Sequence, residues 1–89
     1  MANAGRVFSL LRIPVAAEQM TKFIETFAAL EIFELASKEN GMLSASLLQP
    51  ASAGDEMLVI AEWPTPDAYQ GWLENPTRAR VNKRLDMLV

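Results

Sequence analysis

The segment that most constrains the fold is the run EMLVIAEW at residues 56–63, where apolar side chains fall on both faces of a predicted β-strand. Successive side chains of a strand point to opposite faces. One face carries Met57, Val59, Ala61 and Trp63, and the other carries Leu58 and Ile60. An antiparallel sheet with one face in water should instead alternate apolar and polar residues. The sequence therefore predicts a sheet that is covered on both faces.

The remaining elements follow from hydrophobic period and from turn residues. Strands are predicted at residues 6–13, 42–49 and 56–63, and helices at 16–40, 66–74 and 76–87. The loop at 50–55 joins the second and third strands into a hairpin. Thr65 and Asn75 each precede a proline, as is typical of a helix start. Beyond Leu30 the apolar positions of the first helix shift by about a quarter turn. That helix should kink, break near residues 29–31, or present apolar surface to a second partner.

The order βαββα predicts the α+β class and a ferredoxin-like split βαβ fold, whose last strand is either short, near residues 85–89, or missing. The 89 residues fit one domain, spanning 1–89. A chain of this size has helices for only one sheet face. We therefore expect the second face to pack against the same face of another copy, giving a homodimer. The alternative is that a few apolar side chains are simply exposed.

Composition excludes several classes of function. The net charge of −3 argues against a general nucleic-acid-binding protein. The chain has no cysteine and no histidine, so it lacks a thiolate nucleophile, sulfur metal ligands and the most common general base. We expect no metal and no cofactor. No apolar run is long enough to span a bilayer, and no charged segment precedes an apolar one at the N-terminus. We therefore expect a cytoplasmic protein without a membrane partner.

Both tryptophans and the single tyrosine, Trp63, Tyr69 and Trp72, lie within ten residues after the third strand. Such a cluster either lines a small-molecule pocket or wedges a helix against its sheet. Tyr69 and Trp72 share a helix face. Glu62 should pair with Arg12 on a neighbouring strand, the alternative being a base with a raised pKa. The later basic residues fit a solvated helix face, the alternative being that Arg78 or Arg80 stabilises negative charge in the pocket.

Two segments, NGMLSASLLQ and AEWPTPDAYQGWLENPTR, resemble the antibiotic biosynthesis monooxygenase superfamily of dimeric α/β barrels. The matching features are a glycine that opens the second strand, an acidic residue and a tryptophan that close the third, and an aromatic helix with a downstream arginine. These positions are Gly41, Glu62, Trp63, Tyr69, Trp72 and Arg78. Where the family often has asparagine, four residues before the tryptophan, this chain has Val59, and the family's late arginine could match Arg78, Lys83 or Arg84. The resemblance implies a ferredoxin-like fold that dimerises sheet to sheet, with a pocket between sheet and helices.

Some members of that family oxidise polycyclic phenols to quinones with O₂ and no cofactor. Others degrade haem through a histidine ligand, which this chain lacks. The resemblance implies Trp63 and Tyr69 as catalytic residues, and Trp72, Arg78 and Glu62 as substrate-binding residues. The expectation is therefore a cofactor-independent monooxygenase acting with O₂ on small aromatic or phenolic substrates, polycyclic ones included. The alternative is a non-catalytic dimeric module of the same fold that binds a small ligand or assembles with a partner.

Overall fold

Three antiparallel strands form one sheet in the order β1-β3-β2, where β1 is Val7–Pro14, β2 is Ser44–Leu48 and β3 is Glu56–Trp63. The computed structural model describes residues 5–51 and 54–89, so residues 52 and 53 of the predicted loop lie outside the described residues. The predicted hairpin pairing is confirmed, because β2 and β3 are antiparallel neighbours with Ala45 opposite Ala61. The α+β class is confirmed as well.

Four α-helices lie on one face of this sheet among the described residues: α1 (Met20–Ala29), α2 (Ile32–Asn40), α3 (Pro66–Leu73) and α4 (Pro76–Asp86). A 3₁₀ turn at Ala17–Gln19 precedes α1. Of the three alternatives for the first predicted helix, the break is confirmed. Glu31 lies between α1 and α2 with φ 54° and ψ 42°, in the left-handed region. The break reorients the chain, so that Ile32 and Ala36 are buried although they lie off the apolar face of α1.

Capping side chains fix the turn from β3 into α3 and from α3 into α4. The Thr65 hydroxyl accepts the backbone N–H three residues later, at 3.1 Å. Asn75 Oδ1 accepts the backbone N–H of Thr77 at 2.8 Å. Asn75 Nδ2 donates to Glu39 Oε1 at 2.9 Å and to Asn40 Oδ1 at 2.8 Å. Asn75 therefore ties the end of α2 to the α3–α4 junction, and its hydrogen bond lowers the pKa of the Glu39 carboxyl.

The short fourth strand considered near residues 85–89 does not form. Helix α4 continues to Asp86, because its period places Val81 and Leu85 together in the core, where they are 4% and 6% exposed. Within residues 5–51 and 54–89 the sheet therefore has three strands, with β1 and β2 at its edges. Burial of Val81 and Leu85 by α4 therefore determines the structure at this end of the chain, although residues 85–89 include residue types that favour strands.

The two faces of the sheet have different surroundings. The inner face is covered by the helices, and Met57, Ala61 and Trp63 are buried there. The outer face points away from the helices and leaves four large apolar side chains in contact with solvent. These are Phe8, Leu10, Leu48 and Ile60. The chain itself thus covers one of the two apolar faces. In the part of the chain that is described, no helix is both long enough and apolar enough to cross a membrane.

Ion pairs lie at two ends of the exposed apolar face. Arg6 pairs with Glu62 at 2.6 Å, and Arg12 pairs with Glu56 at 2.9 Å. The prediction that Glu62 pairs with Arg12 is therefore wrong. The reason is strand register: Arg12 lies opposite Leu58, which puts Glu56 within its reach and Glu62 beyond it.

Candidate functional site

A cavity of about 80 Å³ lies between the inner face of the sheet and the helices. Its floor is formed by inward-facing residues of β1 and β3, and its walls come from all four helices. The floor includes Ser9, Leu11, Val59, Ala61 and Trp63, and the walls include Phe27, Phe33, Tyr69, Trp72, Arg78 and Asn82. Leu11 lines the cavity and is also 46% exposed. The cavity is therefore open to solvent on the β1 side.

Trp63 and Tyr69 meet at one end of this cavity. Trp63 ends β3 with its side chain on the inner face, and it is only 2% exposed. Because the N-cap Thr65 follows two residues later and α3 starts at Pro66, Tyr69 is carried back over the indole ring. The two ring centroids lie 5.3 Å apart with the planes tilted by 47°. Trp72 is buried one turn further along α3. The aromatic cluster both packs the sheet end and lines the cavity.

The Trp63 indole N–H already has a partner within the chain. Nε1 donates to Ser9 Oγ at 3.1 Å. Ser9 lies opposite Ala61 in the strand register and therefore sits diagonally beside Trp63 on the inner face. Ser9 is not among the site residues predicted from the sequence. The alternation of β1 contained the signal, because Val7, Leu11 and Ile13 on the inner face place Ser9 there too.

Arg78 supplies a positive charge to the cavity wall. It is partly buried on α4, with Asn82 one turn further along the same wall. No acidic side chain of the described residues lines the cavity, and Arg78 forms no ion pair within them. The later basic residues Arg80, Lys83 and Arg84 are exposed. A cation among apolar walls stabilises the anionic form of a bound acid, so the cavity suits a phenolate or a carboxylate.

The sequence as a whole matches one family model. The model describes antibiotic biosynthesis monooxygenases, and the match covers residues 6–84. The chain belongs to the antibiotic biosynthesis monooxygenase family. The resemblance suggested by the segments around Gly41 and Trp63 is therefore confirmed. No curated protein sequence is significantly similar to the chain.

Solved structures of similar fold include two of SnoaB, a cofactor-independent oxygenase from Streptomyces nogalater. The native SnoaB structure has a TM-score of 0.74, and that of a SnoaB variant has 0.76. Each has 23% sequence identity to this chain, and each match covers 94% of this chain and 83% of the SnoaB chain. A conserved protein from Methanosarcina mazei Go1 has a TM-score of 0.79 at 14% identity, covering 98% of this chain and 84% of that one. These TM-scores show the shared fold, and the ferredoxin-like prediction is confirmed.

In this monooxygenase-family chain, four of the five residues named from the sequence as site residues line the same cavity: Trp63, Tyr69, Trp72 and Arg78. Glu62 does not. Its side chain lies on the outer face of the sheet and pairs with Arg6, because adjacent residues of a strand point in opposite directions. Across residues 5–51 and 54–89 no three carboxylate, histidine or cysteine side chains cluster as metal ligands.

Proposed function

We propose that this family member is a cofactor-independent monooxygenase that oxidises small phenolic substrates with O₂ in the cavity beside Trp63 and Tyr69. One observation carries the proposal: Arg78 is a partly buried cation that lines an otherwise largely apolar cavity and has no acidic partner among the described residues. A phenol becomes a strong electron donor when it loses its proton. Arg78 favours that anionic form by charge attraction.

The overall reaction needs no electron source besides the substrate. A phenol reacts with O₂ to give a quinone and water, so one oxygen atom enters the ring and the other leaves in water. The ring carbon loses its C–H bond and gains a C=O bond. The chain has no histidine to act as base, so we assign the loss of the phenolic proton to solvent. The protein contributes apolar walls, orientation of the ring and stabilisation of the anion.

The size of the cavity limits the substrate. Its volume of about 80 Å³ is smaller than the roughly 150 Å³ of an engineered core cavity that holds benzene. An aromatic ring therefore enters only when half-buried lining side chains such as Phe33 move outward. This expansion becomes larger with each fused ring, so we propose that small phenols are preferred over polycyclic ones.

We further propose that the protein is a homodimer joined through the outer faces of two sheets. The exposed fractions of the large apolar side chains support it, with Phe8 at 74%, Leu10 at 53% and Ile60 at 39%. The ion pairs Arg6–Glu62 and Arg12–Glu56 lie at the border of this surface. Apolar residues surrounded by charged ones are typical of an interface between chains.

One observation favours the second candidate function, a non-catalytic module that binds a small ligand. The indole N–H of Trp63, a residue that the resemblance implies to be catalytic, donates to Ser9, so this donor is already occupied. Such a module would bind phenols in the same cavity without consuming oxygen.

Oxygen uptake with substituted phenols of one, two and three rings, without added cofactor, tests the proposal. Arg78→Met removes the charge and keeps an unbranched side chain. Arg84→Met makes the same change at an exposed position of the same helix. We expect uptake by the native protein, a reduction of kcat/KM by about a hundredfold in Arg78→Met, and little change in Arg84→Met. Phenol binding without uptake would favour the binding module instead.

A further inference from the structure

The hydroxyl of Ser9 is a polar group on an apolar floor. The other residues that β1 and β3 present to the cavity are Leu11, Ile13, Val59, Ala61 and the Trp63 ring. Among these described residues, only Ser9 and the indole N–H carry a side-chain polar atom. The polar ligand contacts of this floor must therefore come from the pair formed by Ser9 and Trp63.

Within this pair, Trp63 is the hydrogen-bond donor and Ser9 is the acceptor. A serine hydroxyl has one proton to donate and two lone pairs to accept with. Ser9 Oγ uses one lone pair for the Trp63 N–H, at 3.1 Å. Among residues 5–51 and 54–89, no acceptor takes the Ser9 proton. The indole nitrogen has no second proton to give. The free donor of the floor is thus the serine hydroxyl.

We propose that Ser9, rather than Trp63, donates the hydrogen bond that the sheet floor offers to the oxygen atom of an aromatic ligand. Trp63 then acts through Ser9, because its N–H both holds the hydroxyl in place and polarises it as a donor. The ligand class is aromatic compounds with a phenolic or carbonyl oxygen. The inference rests on the cavity being the ligand site, as in the proposed function, but it does not require that the ligand be oxidised.

Two ligands that differ by one polar group separate the contribution of this hydrogen bond to affinity from the contribution of apolar packing. Phenol and benzene differ by one hydroxyl, and each can be titrated into ¹⁵N-labelled protein and followed by NMR. Ser9→Ala should weaken phenol binding roughly fivefold to tenfold, as expected for one neutral hydrogen bond, and leave benzene binding within about twofold. Ser46→Ala, the same change on the exposed outer face of β2, should alter neither affinity. The same spectra report whether each variant is folded.

Trp63→Phe decides which residue of the pair is the donor. With Ser9 as donor, this variant keeps most of the preference for phenol over benzene, even where its smaller ring changes both affinities. In Ser9→Ala, the indole N–H signal should shift because its acceptor is gone. Loss of the phenol preference in Trp63→Phe with retention in Ser9→Ala would overturn the proposal and assign the indole N–H as donor. A native protein that binds phenol no better than benzene would overturn it too.

Oxygen uptake by the same variants separates this inference from the proposed function. Selective loss of phenol binding in Ser9→Ala without any uptake by the native protein would support the Ser9 assignment and refute the oxygenase. Uptake by the native protein with an unchanged phenol preference in Ser9→Ala would support the oxygenase and refute the Ser9 assignment.

Discussion

Placing a charge at the centre of the outer sheet face should separate the proposed dimer without unfolding the chain. Leu10 lies opposite Ile60 in the register and is 53% exposed. Leu10→Glu removes about half of the 1.5–3 kcal/mol that a fully buried leucine contributes, or roughly 1.5–3 kcal/mol for two copies. Each copy also buries an unpaired carboxylate at a cost of several kcal/mol. The dimer dissociation constant should rise by at least about a thousandfold.

Leu43 provides a matched control for this substitution, because it is 50% exposed but lies near α2, just before the start of β2. Sedimentation equilibrium at micromolar concentration should show a dimer for the native protein and for Leu43→Glu, and a monomer for Leu10→Glu. Circular dichroism should be the same for all three proteins. A monomeric native protein, or a Leu10→Glu variant that stays dimeric, would contradict a dimer joined through the outer sheet faces.

Two further predictions concern the helices. Glu31 has a left-handed backbone, so Glu31→Gly should raise the free energy of unfolding by about 0.5–1 kcal/mol in urea titrations. Glu34→Gly, a control inside α2, should lower the free energy of unfolding by about 1 kcal/mol. Equal effects of the two substitutions would contradict backbone strain at Glu31. Asn75→Asp keeps the cap acceptor but removes the donor to Glu39, so NMR titration should show the pKa of Glu39 rising. In the native protein that pKa is lowered, so the stability from Glu39 is present above its unfolded pKa and is lost as pH falls through the folded pKa. An unchanged pKa in Asn75→Asp would exclude this hydrogen bond as the cause.

Local patterns were enough to predict most of the fold. The limits of β3 and the two proline-started helices follow from residue types and spacing, and the Thr65 and Asn75 caps form as predicted. The break near Glu31 was one of three alternatives, because a shift of apolar positions shows only that one straight helix cannot bury both halves. The left-handed residue that resolves it depends on packing against the sheet.

The site was harder to predict, since it depends on pairs of residues distant in sequence. Trp63 and Tyr69 were found because they are close in the chain and rich in apolar area. Glu62 was placed with them by adjacency, although adjacent strand residues face opposite sides. The hydrogen bond from Trp63 to Ser9 joins residues that are 54 positions apart in the sequence, and it can be predicted only when the register of β1 against β3 is known. The volume of the cavity likewise emerges only from the packed helices.

The fate of isotopic oxygen tests whether the protein inserts an atom of O₂ into a phenol. The purified protein, with no added cofactor, is given ¹⁸O₂ and a small phenol, and the product is analysed by mass spectrometry beside a Trp63→Phe variant of the same oligomeric state. We expect a quinone that carries one ¹⁸O atom from O₂, formed more slowly by Trp63→Phe. A folded native protein that binds the phenols but yields no labelled product would contradict the monooxygenase and leave a binding module.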